Sequence, residues 1–305
     1  MKKEESFQIK KPNNFRAKDI FSCGQCFRWE ENEDGTYTGI WKENVAEIKE
    51  EKNMIMVRGI SQSGNLASEV KEYFDLERDY EKLQTTLSQI DQTMAKSIAF
   101  GKGIRLLNQD LWETIVSFII SANNNIPRIK GIIKRLAENY GKEIKWQGKS
   151  YYTFPTPEEL KNVSIEEYRK LGLGFRDKRI YETVQMVLRH EVVLEELANN
   201  PETEEVRNEL LRMAGVGPKV ADCILLFSNL KRWEVFPIDV WVRRVMNDLY
   251  FHEPQEEKVS QKQIKQLAEE KFGNLAGLAQ QYLFYWRREC PIGDVSVWDN
   301  FEKTS

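Results

Sequence analysis

The sequence holds few of the residues that usually disclose a function early. Cysteine occurs four times in 305 residues, as Cys23, Cys26, Cys223 and Cys290, and histidine twice, as His190 and His252. So few thiols exclude a disulfide scaffold of the kind that holds small secreted proteins together. Cys23-Gly24-Gln25-Cys26 is formally a Cys-x-x-Cys, but no second pair and no nearby histidine complete the four ligands of a closed zinc site. No metal and no other cofactor are expected. The most apolar runs, Ile115–Ala122 with Ser117 and Ser121 inside it and Cys223–Phe227, fall far short of the roughly 20 residues that span a bilayer, so no membrane partner is expected. Met1-Lys2-Lys3-Glu4-Glu5 leads into no apolar leader, and an intracellular location is expected, the cytoplasm and nucleoid in a bacterium. Positive charge is not in excess either. Lysine and arginine number 45 against 48 acidic residues, a net charge of −3, which excludes a protein that holds nucleic acid by bulk charge alone. Any nucleic acid must be met by a local basic face.

What is present is enough apolar surface for an ordered core, with 41 % hydrophobic residues, eight Trp and fifteen Phe. Short β-favouring runs fill the first part: Phe7–Lys10, Cys26–Trp29, Thr36–Trp41, Val45–Ile48 and Met54–Val57, with Asn32-Glu33-Asp34-Gly35 as turn material. From Ser61 the period becomes helical, Leu66, Val70, Tyr73 and Phe74 sharing a face, and it stays helical downstream. The expected fold class is α+β: a small antiparallel sheet domain over 1–105, then a mainly α-helical domain over 106–305 whose last helices pack back on the first. Helix starts are expected at Ile126-Pro127, after Asn123-Asn124-Asn125, and at Thr156-Pro157, with Thr156 as the cap. Leu171-Gly172-Leu173-Gly174-Phe175-Arg176 reads as a tight turn, and Glu47–Lys52 as solvated surface.

The most informative stretch is Leu210–Cys223. A helix ends near Ala214, Gly215 and Gly217 permit a hairpin with positive φ, and Pro218 restarts a helix that buries Val220, Ile224, Leu225 and Phe227. This predicts a helix-hairpin-helix, whose free amides suit a DNA phosphate. Lys219 falls in the first turn of the second helix, where a cation is disfavoured by about 0.3 to 1 kcal/mol. Stability does not account for it, whereas the same field favours the free amine that a nucleophile needs. Twenty residues on, Asp239 in Phe236-Pro237-Ile238-Asp239-Val240-Trp241 is placed as a helix N-cap; the same carboxylate can stabilise an oxocarbenium-like sugar.

Hairpin, lysine and Pro-x-Asp together resemble the helix-hairpin-helix glycosylase superfamily. Gly24–Trp29, Ser121–Ile126, Leu171–Arg176 and Ala276–Phe284 narrow the resemblance to the 8-oxoguanine DNA glycosylase/lyase family. That resemblance implies a bifunctional repair enzyme that flips 8-oxoguanine out of duplex DNA, forms a Schiff base through Lys219 with help from Asp239, and then cleaves by β-elimination. It further implies that Gly24 offers a backbone carbonyl to the N7 hydrogen of the lesion, that Phe284 and Cys223 sandwich the base, and that Gln280 reads its Watson–Crick edge. Asn123 fills the vacated space, Phe175 is a wedge, and Arg128 and Arg176 meet the estranged cytosine. Gly215, Gly217 and Trp241 are expected at the DNA backbone; Trp241, Phe175 and Pro218 replace a His, a Tyr and a Thr of eukaryotic members. The net acidity of the chain concentrates the expected phosphate binding around the hairpin, Arg128, Arg176, Lys178, Arg179 and Arg243 or Arg244. Related branches carry a four-Cys iron–sulfur loop, and only Cys290 lies in that region, so no iron–sulfur cluster is expected. Duplex DNA with oxidised guanine is the expected partner and a monomer the expected state. Because Gly24 lies near one end of the chain and Gln280 and Phe284 near the other, the expected domains cannot act as independent modules. Two alternatives stay open, a glycosylase for another damaged purine and a non-catalytic damaged-DNA-binding protein.

Overall fold

A computed structural model of the chain describes residues 4–290; Met1–Lys3 of the leader reading and the outer ends of the two expected domains lie outside them. The strands are β1 (Glu5–Lys10), β2 (Trp29–Glu31), β3 (Tyr37–Trp41), β4 (Asn44–Glu50), β5 (Met54–Ile60), β6 (Glu143–Trp146) and β7 (Lys149–Tyr152). The early helices are α1 (Ala17–Ser22), α2 (Leu66–Tyr73), α3 (Tyr80–Ser88), α4 (Gln92–Phe100), α5 (Leu111–Ser121), α6 (Ile126–Tyr140) and α7 (Ile165–Lys170). Then come α8 (Asp177–Leu188), α9 (Leu194–Asn199), α10 (Thr203–Arg212), α11 (Pro218–Phe227), α12 (Val240–Met246), α13 (Gln261–Phe272) and α14 (Ala276–Glu289). The α+β class with an N-terminal antiparallel sheet is therefore observed. Contacts divide the described residues into two units, one of residues 4–12, 24–77 and 107–231, the other of 13–23, 78–106 and 232–290.

In the first unit the sheet runs β1-β5-β4-β3-β2, every neighbouring pair antiparallel. Its register sets Val57 opposite both Phe7 and Ile48, and the alternation along β5 buries Ile55 and Val57. Trp29 is the anchor: its ring stacks on Trp41 and Tyr73, its Nε1 donates to Tyr73 Oη (3.1 Å), and it lies so close over Gly39 that any Cβ there would overlap the indole. The strand expected over Cys26–Trp29 begins only at Trp29. Gly24, at φ 89°, turns the chain, and Phe27 and Arg28 both point to α5, where a strand would have alternated them.

Two further expectations in this unit are corrected. The helical region contains the hairpin β6–β7, turned by Gln147 and Gly148 at φ 49° and 72°, which seats Ile144 and Trp146 against Val45 and Ile60. Thr156 does make a cap-like exchange with Glu159, but Pro157–Lys161 closes turns without becoming a helix. Ser164, with a full capping box, starts the next helix instead.

The second unit joins segments distant in sequence. Buried Asp19 at α1 accepts from Gly103 N (3.0 Å) and from Tyr285 Oη of α14 (3.2 Å), while Gln84 of α3 donates to Tyr282 Oη (2.8 Å). Arg105 is buried over the Tyr80 ring and donates to Asn14 Oδ1. Gln281 and Arg288 of α14 donate to Cys23 O and Ser22 O, so the last helix is bound to the earliest one.

Candidate catalytic and nucleic-acid site

The helix-hairpin-helix is present in the first unit as α10, a turn, and α11. Of its two glycines only Gly215 is left-handed, at φ 85°; Gly217 is the extended N-cap of α11, at φ −95°. The expectation of positive φ at both is corrected: the cap position needs extended backbone. A Cβ at Gly217 would meet open space, and no side chain caps the helix, so the first amides of α11 are left for an external anion. The turn is held from outside by Thr183 Oγ1, which donates to Ala214 O (2.9 Å), and by the Arg179 side chain against Gly215. A buried ion pair between Arg207 of α10 and Asp222 of α11 ties the two helices.

Lys219 is half-buried in the first turn of α11. Its Nζ lies 5.5 Å from the centroid of the Phe118 ring on α5, and among the described residues it has no hydrogen-bond or ion-pair partner. Cys223 is one turn further along and buried, so the two side chains share a face of α11. Gly24 follows Cys23 at the boundary of the two units. The loop after it is fixed to the first unit by Gln25, whose Oε1 accepts from Leu107 N (2.9 Å) and whose O accepts from Gln109 Nε2 (2.7 Å).

The expected opposite-strand residues also lie in this unit. Asn125 caps α6, and Asn123 before it is exposed and left-handed at φ 51°. Arg176 is 1 % exposed, and its guanidinium donates to Ala122 O, Asn123 O (2.8 Å) and Leu173 O (3.3 Å). Burial, with Arg128 and Arg179 adding repulsion, lowers the pKa of that guanidinium from its ordinary value. In this structure Arg176 therefore holds the Asn123 turn, whereas Arg128 stands exposed with one bond to Gly172 O (3.3 Å). Phe175 is 54 % exposed, its ring against both Arg176 (4.2 Å) and Arg179 (5.0 Å). Among the described residues Arg128, Lys178 and Arg179 have no carboxylate partner, which gives this unit the local basic face that the net charge conceals.

The second unit carries the remaining expected residues. Asp239 is the N-cap of α12 and its Oδ1 accepts from Val242 N (2.8 Å). Trp241 is 61 % exposed, with the Arg244 guanidinium 5.3 Å from its ring centroid. Gln280 and Phe284 are one turn apart on α14. Gln280 is buried, 5 % exposed, and its Oε1 has no hydrogen-bond partner among the described residues. An acceptor in that state costs about 1 to 3 kcal/mol. Phe284 is half-buried with Arg288 beside its ring.

All four cysteines are buried and outside any disulfide, and no three His, Cys, Asp or Glu among the described residues are placed to hold a metal ion. No described helix is long and apolar enough to cross a membrane. A cleft of about 270 Å³ in the first unit, lined by Phe27, Arg28, Ile40, Lys130, Lys134 and Tyr151 among others, contains none of the expected site residues. The pair Arg28–Glu113 was missed in the sequence. Its signal was a single charged residue, Glu113, in the stretch Leu111–Ile120.

Residues 8–115 match the family model of the 8-oxoguanine DNA glycosylase N-terminal domain, and residues 116–272 that of the HhH-GPD superfamily of base excision DNA repair proteins. The chain is similar to the N-glycosylase/DNA lyase of Saccharomyces cerevisiae, with 32 % identity over 74 % of this chain and 66 % of the yeast protein. It is 29 % identical to a probable N-glycosylase/DNA lyase of Methanothermobacter thermautotrophicus, over 81 % of this chain and 84 % of that one. A crystal structure of the 8-oxoguanine glycosylase/lyase of Clostridium acetobutylicum, bound to double-stranded DNA with cytosine opposite 8-oxoguanine, superposes with a TM-score of 0.88. Identity there is 42 %, over 96 % of this chain and 99 % of that one.

Proposed function

The chain belongs to the HhH-GPD superfamily, in its 8-oxoguanine DNA glycosylase branch, and is a DNA glycosylase with lyase activity; we propose that it excises 8-oxoguanine opposite cytosine through a Schiff base on Lys219. The observation that carries this reading is Lys219 itself, a half-buried amine in the first turn of α11 with no anionic partner among the described residues. Nothing in the fold requires an amine there, and attack on a sugar carbon does.

The oxidised base leaves the duplex, at a cost of a few kcal/mol in stacking and pairing. The amides ahead of α11, with Gly215 and Gly217, and the exposed pair Trp241 and Arg244 take the DNA backbone. Gln280 Oε1, which lacks a donor, accepts from the Watson–Crick edge of a guanine-type base, where N1 and N2 both carry hydrogens. The Gly24 carbonyl accepts the N7 hydrogen that oxidation adds and that guanine lacks. Phe284 and Cys223 cover the two faces of the ring. The lone pair of Lys219 Nζ then bonds to C1′ as the glycosidic bond breaks, the base taking the bonding electrons. Asp239, held by the helix amide of Val242, stabilises the positive charge that develops on the sugar. Opening of the sugar ring and loss of the amine proton give the imine, and removal of a C2′ proton expels the 3′ phosphate.

Opposite-base preference follows from the guanidinium groups. Cytosine offers N3 and O2 as acceptors, and Arg128 with Arg176 supplies donors; adenine would present an amino donor to one of them. Asn123 and Phe175 occupy the gap left by the flipped base. Borohydride reduction tests the chemistry. The wild-type chain is expected to cross-link to 8-oxoguanine DNA, and Lys219→Gln to bind that DNA without cross-linking. Trapping by the variant, or equal excision opposite cytosine and adenine, would overturn the respective step; a panel of damaged purines separates this substrate from others.

A further inference from the structure

We infer that Glu113 is a positioning residue for lesion discrimination: its carboxylate holds Arg28, and with it the loop that follows Gly24, in register on α5. This rests on the reading of the Gly24 carbonyl as the acceptor for the N7 hydrogen of the lesion.

α5 carries attachments to three parts of the proposed site, all within the first unit. Just before it, Gln109 Nε2 donates to Gln25 O (2.7 Å) and to Phe227 O at the end of α11 (2.9 Å). In its first turn Glu113 Oε2 lies 3.4 Å from Arg28 Nη1, and Arg28 Nη2 donates to Tyr152 O of β7. Further along, Phe118 meets Phe27 edge-on at 5.7 Å, stacks on Phe227 at 5.5 Å and lies beneath Lys219 Nζ. Beyond its last turn, Ala122 O and Asn123 O are gripped by Arg176. A helix is a stiff rod, so sliding of the loop along α5 displaces Gly24 relative to Lys219.

Stability alone does not explain the pair. The Arg28 and Glu113 side chains are 7 % and 15 % exposed, and such a buried pair is often no more stable than apolar side chains of the same volume. Gln109 and Phe27 already tether the loop without charge. What the pair adds is direction, since Arg28 joins the loop to both α5 and β7. The titratable groups around Glu113 are Arg28 of the loop, Asp110 at the cap of α5 and Tyr73 of α2, which Cys26 of the loop also faces. Burial pushes the Glu113 carboxyl up to about 7, against the pull of Arg28 and with a push from Asp110. Above that pH the carboxylate holds Arg28; below it the neutral acid releases the charge–charge part of the grip.

Excision of 8-oxoguanine needs Gly24 in place, whereas cleavage at a preformed abasic site needs Lys219 and no base contact. The ratio of the two rates, measured on the same full-length sample, therefore isolates the loop. In the wild type this ratio is expected to rise with pH through about 7, as Glu113 ionises. In Glu113→Gln the ratio is expected to be flat and roughly 10- to 100-fold lower above that pH, the size expected for a misplaced recognition group. Abasic-site cleavage is expected within about twofold of wild type, which also verifies folding. Arg28→Lys, which replaces the two separate nitrogens that face Glu113 and Tyr152 O with one compact ammonium, is expected to behave in the same way. Equal losses in both reactions, or an unchanged pH dependence of the ratio in Glu113→Gln, would overturn the inference alone. A wild-type chain that cleaves abasic DNA without excising 8-oxoguanine would overturn the substrate reading and this inference with it.

Discussion

Gln280 shows at the scale of one residue how function is set against stability. A buried amide oxygen without a donor is a net cost, and leucine of similar volume would remove it. Gln280→Leu is therefore expected to raise stability by about 1 kcal/mol or more while sharply lowering excision of 8-oxoguanine and leaving abasic-site cleavage in place. Thermal melts and the two activity assays on one sample check it; a lower melting temperature would mean that the amide is satisfied within the protein. The pairing of Gln280 with Phe284 on one helix face could be read from spacing. That Gln280 is buried and lacks a donor could not, because burial depends on segments far away in the chain. Arg176 teaches the same lesson. Its place in the turn was legible, but the carbonyls it holds, Ala122 O and Asn123 O, lie more than fifty residues earlier in the chain.

At the scale of an element, the hairpin between α10 and α11 separates two glycines that look alike in sequence. Gly215 needs its positive φ and lies against the Arg179 side chain, 2.8 Å from Cδ to an added Cβ. Gly217 is an N-cap with open space above it. Gly215→Ser is expected to destabilise the protein by about 1 to 2 kcal/mol through the left-handed backbone. Gly217→Ser is expected to leave stability unchanged or raise it by a few tenths of a kcal/mol, since serine is a favoured cap. The same Gly217→Ser should weaken DNA binding, because its hydroxyl both occupies the space above the amides and competes for them. Melts and DNA titrations of the pair measure this; a DNA affinity unaffected by Gly217→Ser would mean that no phosphate approaches that turn. Helices with caps and long apolar faces were legible, and α11 starts at Pro218 as its sequence suggests. The hairpin β6–β7 was not, since each strand is four residues long and its stabilising contacts, Ile144 and Trp146 on Val45 and Ile60, come from the N-terminal sheet. Thr156 misled for the opposite reason: the local cap bonds form, yet the chain closes only turns before Ser164 begins α7.

At the scale of the molecule, chain order and spatial grouping diverge. Composition and period change mark a β-rich beginning and a helical remainder in chain order. Yet residues 13–23 and 78–106 group with residues from 232 onward, because α14 takes its polar partners from them. Tyr285 donates to Asp19, Gln84 donates to Tyr282, and Gln281 donates to Cys23 O. Expressed without residues 1–105, the chain would keep the helix-hairpin-helix and Lys219 but open to water the face of α14 that those segments cover. Each lost hydrogen bond costs about 0.5 to 1.5 kcal/mol net, and loss of the buried apolar contacts of Ile20, Met94 and Ile98, about 1.5 to 3 kcal/mol each, adds to that. Set against the roughly 5 to 15 kcal/mol by which a whole domain is stable, the sum is enough to unfold α12–α14. A fragment of residues 106–305 is accordingly expected to show no cooperative melt of its C-terminal helices by hydrogen exchange and no borohydride trapping, while the full chain shows both. A fragment that protects the α14 amides as the full chain does would mean that its polar groups find other partners, and that residues from 106 onward fold without the N-terminal segments.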